Sequence, residues 1–138
     1  MSASLSNKTD KKQEIIRPEM RTWLYVNDGA FGLGIKNLLL SIDKIGNIKL
    51  AAGEIGMSYS KAYSLLNHFE NDSGCRLIDR HHGRTSGNNA TLTKTAKDLI
   101  AKYDVMTAKT QEFMQNEVEM TFADFEAKDH AEKKPRRR

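Results

Sequence analysis

One stretch of this chain decides its fold: residues 46–69, GNIKLAAGEIGMSYSKAYSLLNHF. In its first half, apolar residues recur at the spacing of one face of an α-helix; they are Ile48, Ala51, Ala52 and Ile55. The same spacing returns after a short glycine-containing break, at Ala62, Leu65, Leu66 and Phe69. Two amphipathic helices joined by a tight turn predict a helix-turn-helix. Such a unit can present the free side of its second helix to the major groove of DNA.

Capping residues mark the ends of these helices. Asn47 predicts the start of a helix over residues 48–55, and Ser58 predicts the start of another from residue 59 to about 71. A further helix precedes them and ends at Gly46. Its apolar face consists of Ile35, Leu38, Leu39, Ile42 and Ile45.

Two hairpins and a long helix flank this core. Residues 22–26 (TWLYV), followed by the turn sequence Asn-Asp-Gly, predict a hairpin whose second arm is residues 30–33. Residues 76–80 and 90–92 predict a second hairpin, with the polar, cationic tip HHGRTSGNN between them. Thr93 then caps a long helix. Its apolar side carries Ala96, Leu99, Ile100, Tyr103, Met106, Thr110, Phe113 and Met114.

Composition bounds the class of protein. The chain has 138 residues, 38% hydrophobic and 29% charged. It has no run of about 18 apolar residues, so we expect no membrane span. The N-terminus is polar, without the apolar region of a secretory signal. Cys75 is the only cysteine and has no intrachain disulfide partner; its position predicts a small packed residue. A cytoplasmic location is therefore expected.

Charge is unevenly distributed along the chain. Residues 128–138 hold six basic and two acidic residues, which equals the whole net charge of +4. Residues 76–97 hold five basic residues and one acidic residue, whereas residues 105–126 hold one basic and five acidic. A phosphate backbone would attract the first of these two segments and repel the second. The terminal KKPRRR is open to two interpretations, nonspecific DNA affinity or a solubilising end.

These elements predict a mainly α fold with a small β content: a winged helix-turn-helix with an N-terminal β-hairpin and a long C-terminal helix. We expect a disordered tail at residues 1–17, the DNA-binding domain at 18–93, a dimerisation helix at 94–120 and a charged basic tail at 121–138. On the third helix, the residues expected to face solvent are Tyr59, Ser60, Lys61, Tyr63, Ser64, Asn67 and His68. The predicted DNA contacts come from this helix, its surroundings and the wing; they are Asn47, Lys49, Ser58, Tyr59, Ser60, Lys61, Tyr63, Ser64, His81, His82, Arg84, Thr85 and Ser86.

The stretch of residues 46–104, with Leu92-Thr93 among its matching elements, also resembles the DNA-binding domain of molybdate-responsive regulators of the ModE type. More distantly, it is similar to LysR-type regulators. The resemblance covers roughly Arg17 to Met114. The resemblance rests on Gly46-Asn47-Ile48, Ala51-Ala52, Gly56-Met57-Ser58-Tyr59, Ala62-Tyr63, the wing and the preceding Trp23-Leu24. It implies a homodimer whose recognition helix and wing touch DNA. It also implies that the long helix forms much of the dimer contact, for which the sequence offers Leu99, Tyr103, Met106, Thr110, Phe113 and Met114.

The chain departs from that family in two respects. The family wing is rich in glycine before its last strand, whereas this chain has Asn88 and Asn89 there, beside Gly83 and Gly87. Nothing in the sequence resembles the separate molybdate-binding domains, so molybdate binding is not expected from this chain.

Several alternatives accompany this prediction. Lys61 could be an ordinary solvated residue, and Tyr63 borders the apolar stripe and could belong partly to the core. His81 and His82 lack further ligands at metal spacing, so no metal site and no cofactor are predicted. No nucleophile–base pair or phosphate-binding glycine loop indicates an enzyme. The predicted function is a dimeric, sequence-specific transcriptional regulator that binds double-stranded DNA at an inverted repeat. The alternative is a winged-helix module that binds proteins.

Overall fold

The computed structural model of the chain describes residues 16–81 and 88–126. The chain divides into two compact units. One is Arg21–Ala108, and the other contains the described residues on either side of it, 16–20 and 109–126. The described residues form a mainly helical protein with two small antiparallel sheets. The strands are β1 (Leu24–Val26), β2 (Gly29–Phe31), β3 (Ile78–His81) and β4 (Asn89–Leu92). The helices are α1 (Leu33–Ile45), α2 (Ile48–Glu54), α3 (Tyr59–Ser73) and α4 (Lys94–Thr121).

The predicted N-terminal hairpin is present, but its second strand is displaced. Strands β1 and β2 pair antiparallel, with Val26 opposite Gly29, and Asn27 takes the left-handed conformation that the turn requires (φ 58°). The side-chain amide of Asn27 donates to the carbonyl oxygen of Ser73 at 2.6 Å, which fastens the turn to the end of α3. Leu33 was expected in the second arm and instead begins α1.

Gly32 separates the strand from the helix. It stands at the N-cap of α1, where a Cβ would lie 2.6 Å from atoms of the Trp23 ring. Glycine permits this close approach, whereas any side chain at residue 32 would require the Trp23 ring to move.

The predicted end of α1 and the predicted start of α2 are confirmed. Gly46 ends α1 in the left-handed conformation (φ 80°), and its backbone N–H donates to Ile42 at 2.7 Å. Asn47 then caps α2, because its side-chain oxygen accepts a hydrogen bond from the N–H of Leu50 at 3.0 Å. Ile55 was counted in the apolar face of this helix but is exposed beyond its end.

A polar network joins α1 to α2. Glu54 accepts hydrogen bonds from Lys44 at 3.0 Å and from the Ser41 hydroxyl at 2.8 Å. The ammonium group of Lys44 is the main cause of a lowered pKa at Glu54, and the hydrogen bond from the Ser41 hydroxyl lowers this pKa further. Both bonds favour the ionised carboxylate.

The hydrophobic core lies where the three short helices meet the hairpins and the first half of α4. Phe31 is fully buried and makes edge-on contacts with Phe69 (ring centroids 5.9 Å apart) and Tyr103 (5.3 Å). Thr93 caps α4 as predicted, accepting from the N–H of Ala96 at 3.0 Å. Lys36 forms an ion pair with Asp104 at 2.6 Å, which ties α1 to α4. The first half of the long helix is therefore part of this core.

The other unit contains the end of α4. Here the side chain of Gln111 donates to the carbonyl oxygen of Pro18 at 3.2 Å. Past Thr121, the rings of Phe122 and Phe125 meet edge-on, with centroids 5.8 Å apart. The predicted disordered tail, apart from residues 16 and 17, and the basic part of the C-terminal tail lie outside the described residues. Within residues 16–81 and 88–126, every helix is too short or too polar to cross a membrane.

Candidate nucleic-acid interface

The start of α3 presents a polar surface to solvent. Ser58 caps the helix, with its hydroxyl accepting from the N–H of Lys61 at 3.0 Å. Ser60, Lys61 and Ser64 follow within the first two turns, and all three are exposed. At about 100° per residue they lie on one side of the helix, away from the buried Ala62 and Leu66. This side can offer hydroxyl and ammonium donors to an external acceptor.

Two exposed lysines are available to a negatively charged partner. Lys49 on α2 and Lys61 on α3 have no acidic ion-pair partner within the described part of the chain. A lysine that is not paired with a carboxylate of its own chain is free to pair with an external anion. These two side chains are therefore the cations of the helical pair best placed to meet a phosphate.

Tyr59 is not on the exposed face where it was predicted, whereas Tyr63 occupies the partly buried position that its place beside the apolar stripe allowed. Both are half-buried against the hydrophobic core, with ring centroids 5.1 Å apart. The guanidinium group of Arg80 lies 5.4 Å from the centre of the Tyr63 ring, within the range of a cation–π contact. The difference arises because hairpin β3–β4 covers this side of α3.

The Tyr59 hydroxyl is engaged by that hairpin. It donates to the side-chain oxygen of Asn88 at 2.8 Å. Burial raises the pKa of Tyr59, and the neighbouring Tyr63 adds to the effect, so both favour the protonated hydroxyl that donates this bond. A direct DNA contact by either tyrosine remains a prediction.

Asn47 is also engaged within the chain. Its side-chain oxygen caps α2, and its amide nitrogen donates to the side-chain oxygen of Asn89 at 3.0 Å. The two residues also form an isolated β-bridge. Asn47 thus links the helical pair to the first residue of β4, and its predicted contact with DNA stays a prediction.

Hairpin β3–β4 is present, with its first strand shifted. Its register pairs Ile78 with Leu92 and His81 with Asn89. His81 is exposed, and its Nε2 lies 3.0 Å from the Thr91 hydroxyl. The other predicted tip residues, His82, Arg84, Thr85 and Ser86, lie outside the described residues. Across the part of the chain that the structure describes, no cluster of three or more histidine, cysteine or acidic side chains could hold a metal.

Glu70 accounts for the shift of the strand, a role that was not predicted from the sequence. One of its carboxylate oxygens accepts from the backbone N–H groups of Leu77 (2.7 Å) and Ile78 (3.0 Å). The other lies 3.6 Å from Arg80. The chain before Ile78 is thereby held by a side chain, so β3 begins later than the predicted residue 76. A single acidic residue near the end of a helix carries no sequence signal for this role.

Part of the predicted basic segment is neutralised internally. Arg76 pairs with Asp79 at 2.7 Å, and Arg80 is partnered by Glu70. Nη2 of Arg80 is buried and has no hydrogen-bond acceptor among the described residues. Lys94 and Lys97 are exposed. The cationic surface of this segment is therefore smaller than its composition suggests.

The residues predicted for a dimer seam fall into two groups. In the unit Arg21–Ala108, Tyr103 is buried, and its hydroxyl donates to the carbonyl oxygen of Thr22 at 2.7 Å. Leu99 and Met106 are half-buried against the same core. Tyr103 is thus covered by its own chain, which leaves it little surface for a partner. In the other unit, Phe113 is 64% exposed. Thr110 and Met114 are half-buried there.

Comparison with known proteins gives a partial relationship. No protein-family model matches the chain. Over 71 residues, or 51% of the chain, the sequence is 32% identical to the molybdenum-pterin-binding protein MopB of Rhodobacter capsulatus. The matched stretch covers 26% of that protein's length. The similarity thus relates half of this chain to about a quarter of a molybdenum-pterin-binding protein, in line with the resemblance to molybdate-responsive regulators.

Proposed function

We propose that this chain is a sequence-specific DNA-binding regulator of the winged helix-turn-helix type. Helix α3 is the recognition helix in this proposal, and hairpin β3–β4 is the wing. The observation that carries it is the exposed side of α3, where Ser60, Lys61 and Ser64 follow directly after the capped N-terminus. Residues near the N-terminus of such a helix make base contacts in the major groove.

The arrangement of the neighbouring elements supports the same function. Lys49 adds an exposed cation on α2 that has no ion-pair partner among the described residues. Hairpin β3–β4 is tied to both helices, by Asn88 and by Asn89. A hairpin held beside a recognition helix can reach the backbone or the minor groove, with Arg84 at its expected tip. Molybdate binding is not part of the proposal for this chain.

Selection from random duplexes, followed by fluorescence anisotropy, tests the proposal. We expect the wild-type chain to enrich an inverted repeat with half-sites about one helical turn apart. Lys61→Ala should weaken binding to the selected duplex. If Lys61 meets only phosphate, the slope of log affinity against log salt should fall by about one.

The matched control is Lys102→Ala. Lys102 is exposed on α4 and paired with Asp98, so its removal changes the net charge equally without touching α3. Equal losses from Lys61→Ala and Lys102→Ala would show a general charge effect and refute the contact. Failure to enrich any duplex at low salt would refute DNA binding and favour the protein-interaction alternative.

We also propose that the chain acts as a homodimer, through the second half of α4. The support is an exposed apolar strip near the end of α4, where Phe113 and Met120 are 64% and 70% exposed and lie seven residues apart, on one side of the helix. Phe113→Glu should convert a dimer to a monomer in sedimentation equilibrium. Ala108→Glu adds the same charge to an exposed position about 140° around the helix and should leave the dimer intact. A monomeric wild type at micromolar concentration would contradict this.

A further inference from the structure

One side of α3 carries its contacts to hairpin β3–β4. Tyr59, Tyr63 and Glu70 are spaced by four and seven residues, which places them within about 40° of one another around the helix. Glu70 holds the chain at the start of β3, Tyr63 lies under Arg80, and Tyr59 reaches Asn88 before β4. The exposed side of α3, which carries Ser60, Lys61 and Ser64, differs from the side that contacts the hairpin. The helix therefore separates the surface that can meet DNA from the surface that holds the hairpin.

Asn88 is the point where the hairpin meets both helices. Its side-chain oxygen accepts from the Tyr59 hydroxyl at 2.8 Å. Its backbone carbonyl accepts from the N–H of Ile48, the first residue of α2, at 2.9 Å. The residue that follows, Asn89, bonds to Asn47. Several hydrogen bonds at its base therefore hold the hairpin beside both helices, and the one from Tyr59 to Asn88 comes from a side chain of α3.

We propose that Tyr59 is a positioning residue, which sets the hairpin beside α3 through Asn88 and affects DNA affinity by that route instead of by touching DNA. The proposal rests on the DNA-binding function proposed above. It differs from the sequence-based prediction, in which Tyr59 is itself a DNA contact. The two roles have different thermodynamic consequences. If Tyr59 acts only through Asn88, substituting Tyr59 has no further effect on DNA affinity once Asn88 has been replaced. If Tyr59 contacts DNA directly, its substitution weakens binding whether or not Asn88 is present.

A double-mutant cycle in DNA affinity separates these roles. Tyr59→Phe, Asn88→Ala and the double variant are titrated by anisotropy against the duplex selected by the wild type. Phenylalanine keeps the ring against Tyr63 and the core and removes only the hydroxyl. We expect Tyr59→Phe to weaken binding roughly two- to tenfold, the range of one hydrogen bond. In the Asn88→Ala background the same substitution should have almost no further effect.

The outcomes that would overturn the proposal are distinct. If the losses multiply in the double variant, Tyr59 acts on DNA independently of Asn88. If Tyr59→Phe binds as tightly as the wild type, the hydroxyl has no role in binding. Tyr25→Phe is the matched control, because Tyr25 is 70% exposed on β1 and loses the same hydroxyl. It should bind like the wild type.

A second cycle, without DNA, keeps the proposal separate from the proposed function. The free energies of urea unfolding of the same four proteins should also be non-additive, since the hydrogen bond exists in the free chain. Additive unfolding energies would refute the Tyr59–Asn88 bond itself. A wild type that enriches no duplex would refute the proposed function, and the positioning role would fall with it. A wild type that binds DNA while the affinity cycle is additive would refute only the positioning role.

Discussion

Replacing Glu70 with alanine should destabilise the fold more than any other single change at the polar side chains of α3. The side chain of Glu70 is only 14% exposed. Its carboxylate accepts hydrogen bonds from the N–H groups of Leu77 and Ile78, two residues with no exposed surface. Alanine would leave both donors without an acceptor and would leave Arg80 without its carboxylate.

The magnitude follows from these contacts. A hydrogen bond to a charged group contributes about 1.5–3 kcal/mol, so the two N–H bonds together give roughly 3–6 kcal/mol. In the variant, water can partly reach these donors, because the site of Glu70 is not fully closed. Alanine also favours the helix over glutamate by about 0.3 kcal/mol. We therefore expect Glu70→Ala to lower the free energy of unfolding by about 2–4 kcal/mol. Glu70→Gln keeps an oxygen acceptor and loses only the charge, so it should cost about 1–2 kcal/mol.

Urea unfolding followed by circular dichroism measures both variants. With a denaturant slope near the lower end of the usual range, roughly 1–1.5 kcal/mol/M, Glu70→Ala should lower the midpoint by about 2 M. Asn71→Ala is the control, because Asn71 is exposed on the same turn of the helix. If Glu70→Ala unfolds within about 0.5 kcal/mol of this control, the carboxylate does not hold the start of β3, and the reasoning fails.

Three further substitutions test the local structure. Gly32→Ala should displace the ring of Trp23, the only tryptophan, so its fluorescence maximum should shift as stability falls; unchanged emission would contradict the contact. Asn47→Ala should cost about 1–2 kcal/mol by thermal unfolding, since it removes the cap of α2; a loss below about 0.3 kcal/mol would show that the cap is dispensable. The pKa of Glu54 is lowered because of Lys44. The contribution of its carboxylate to the stability of the fold is therefore complete above pH 4.5, its ordinary pKa, and is lost as the pH falls below that value. The stability difference between wild type and Glu54→Gln should therefore shrink on acidification, and a difference independent of pH would refute this.

Local signals in the sequence predicted the helices well. Asn47, Ser58 and Thr93 each accept the hydrogen bond expected of an N-cap, and Gly46 ends α1 as predicted. Caps are predictable because they satisfy backbone groups a few residues away, through the chemistry of one side chain. Periodicity located most of the core for a similar reason, since burial of one helix face imposes a fixed spacing. Ile55 is an exception, because α2 ends before it, and Leu65 is another, since it is only half-buried.

The candidate interface was predicted less completely. Lys61 and Ser64 are exposed as expected, but Tyr59 is not, and Tyr63 is half-buried, which its place beside the apolar stripe allowed. Amphipathic side chains beside an apolar stripe can face either solvent or a neighbouring element, and the helix period does not distinguish these cases. The neighbour here is hairpin β3–β4, whose Asn88 lies 29 residues beyond Tyr59 in the sequence.

The sequence by itself therefore determined the helices, their caps, the approximate strands and one exposed side of α3, because each depends on residues close together in the chain. Only the tertiary structure decided which side of α3 holds the hairpin. It assigned Glu70 to the backbone N–H groups of Leu77 and Ile78, and Tyr59 to Asn88. The physical reason is that a polar side chain on a helix finds its partner through packing between distant segments, which leaves no periodic or local trace in the sequence.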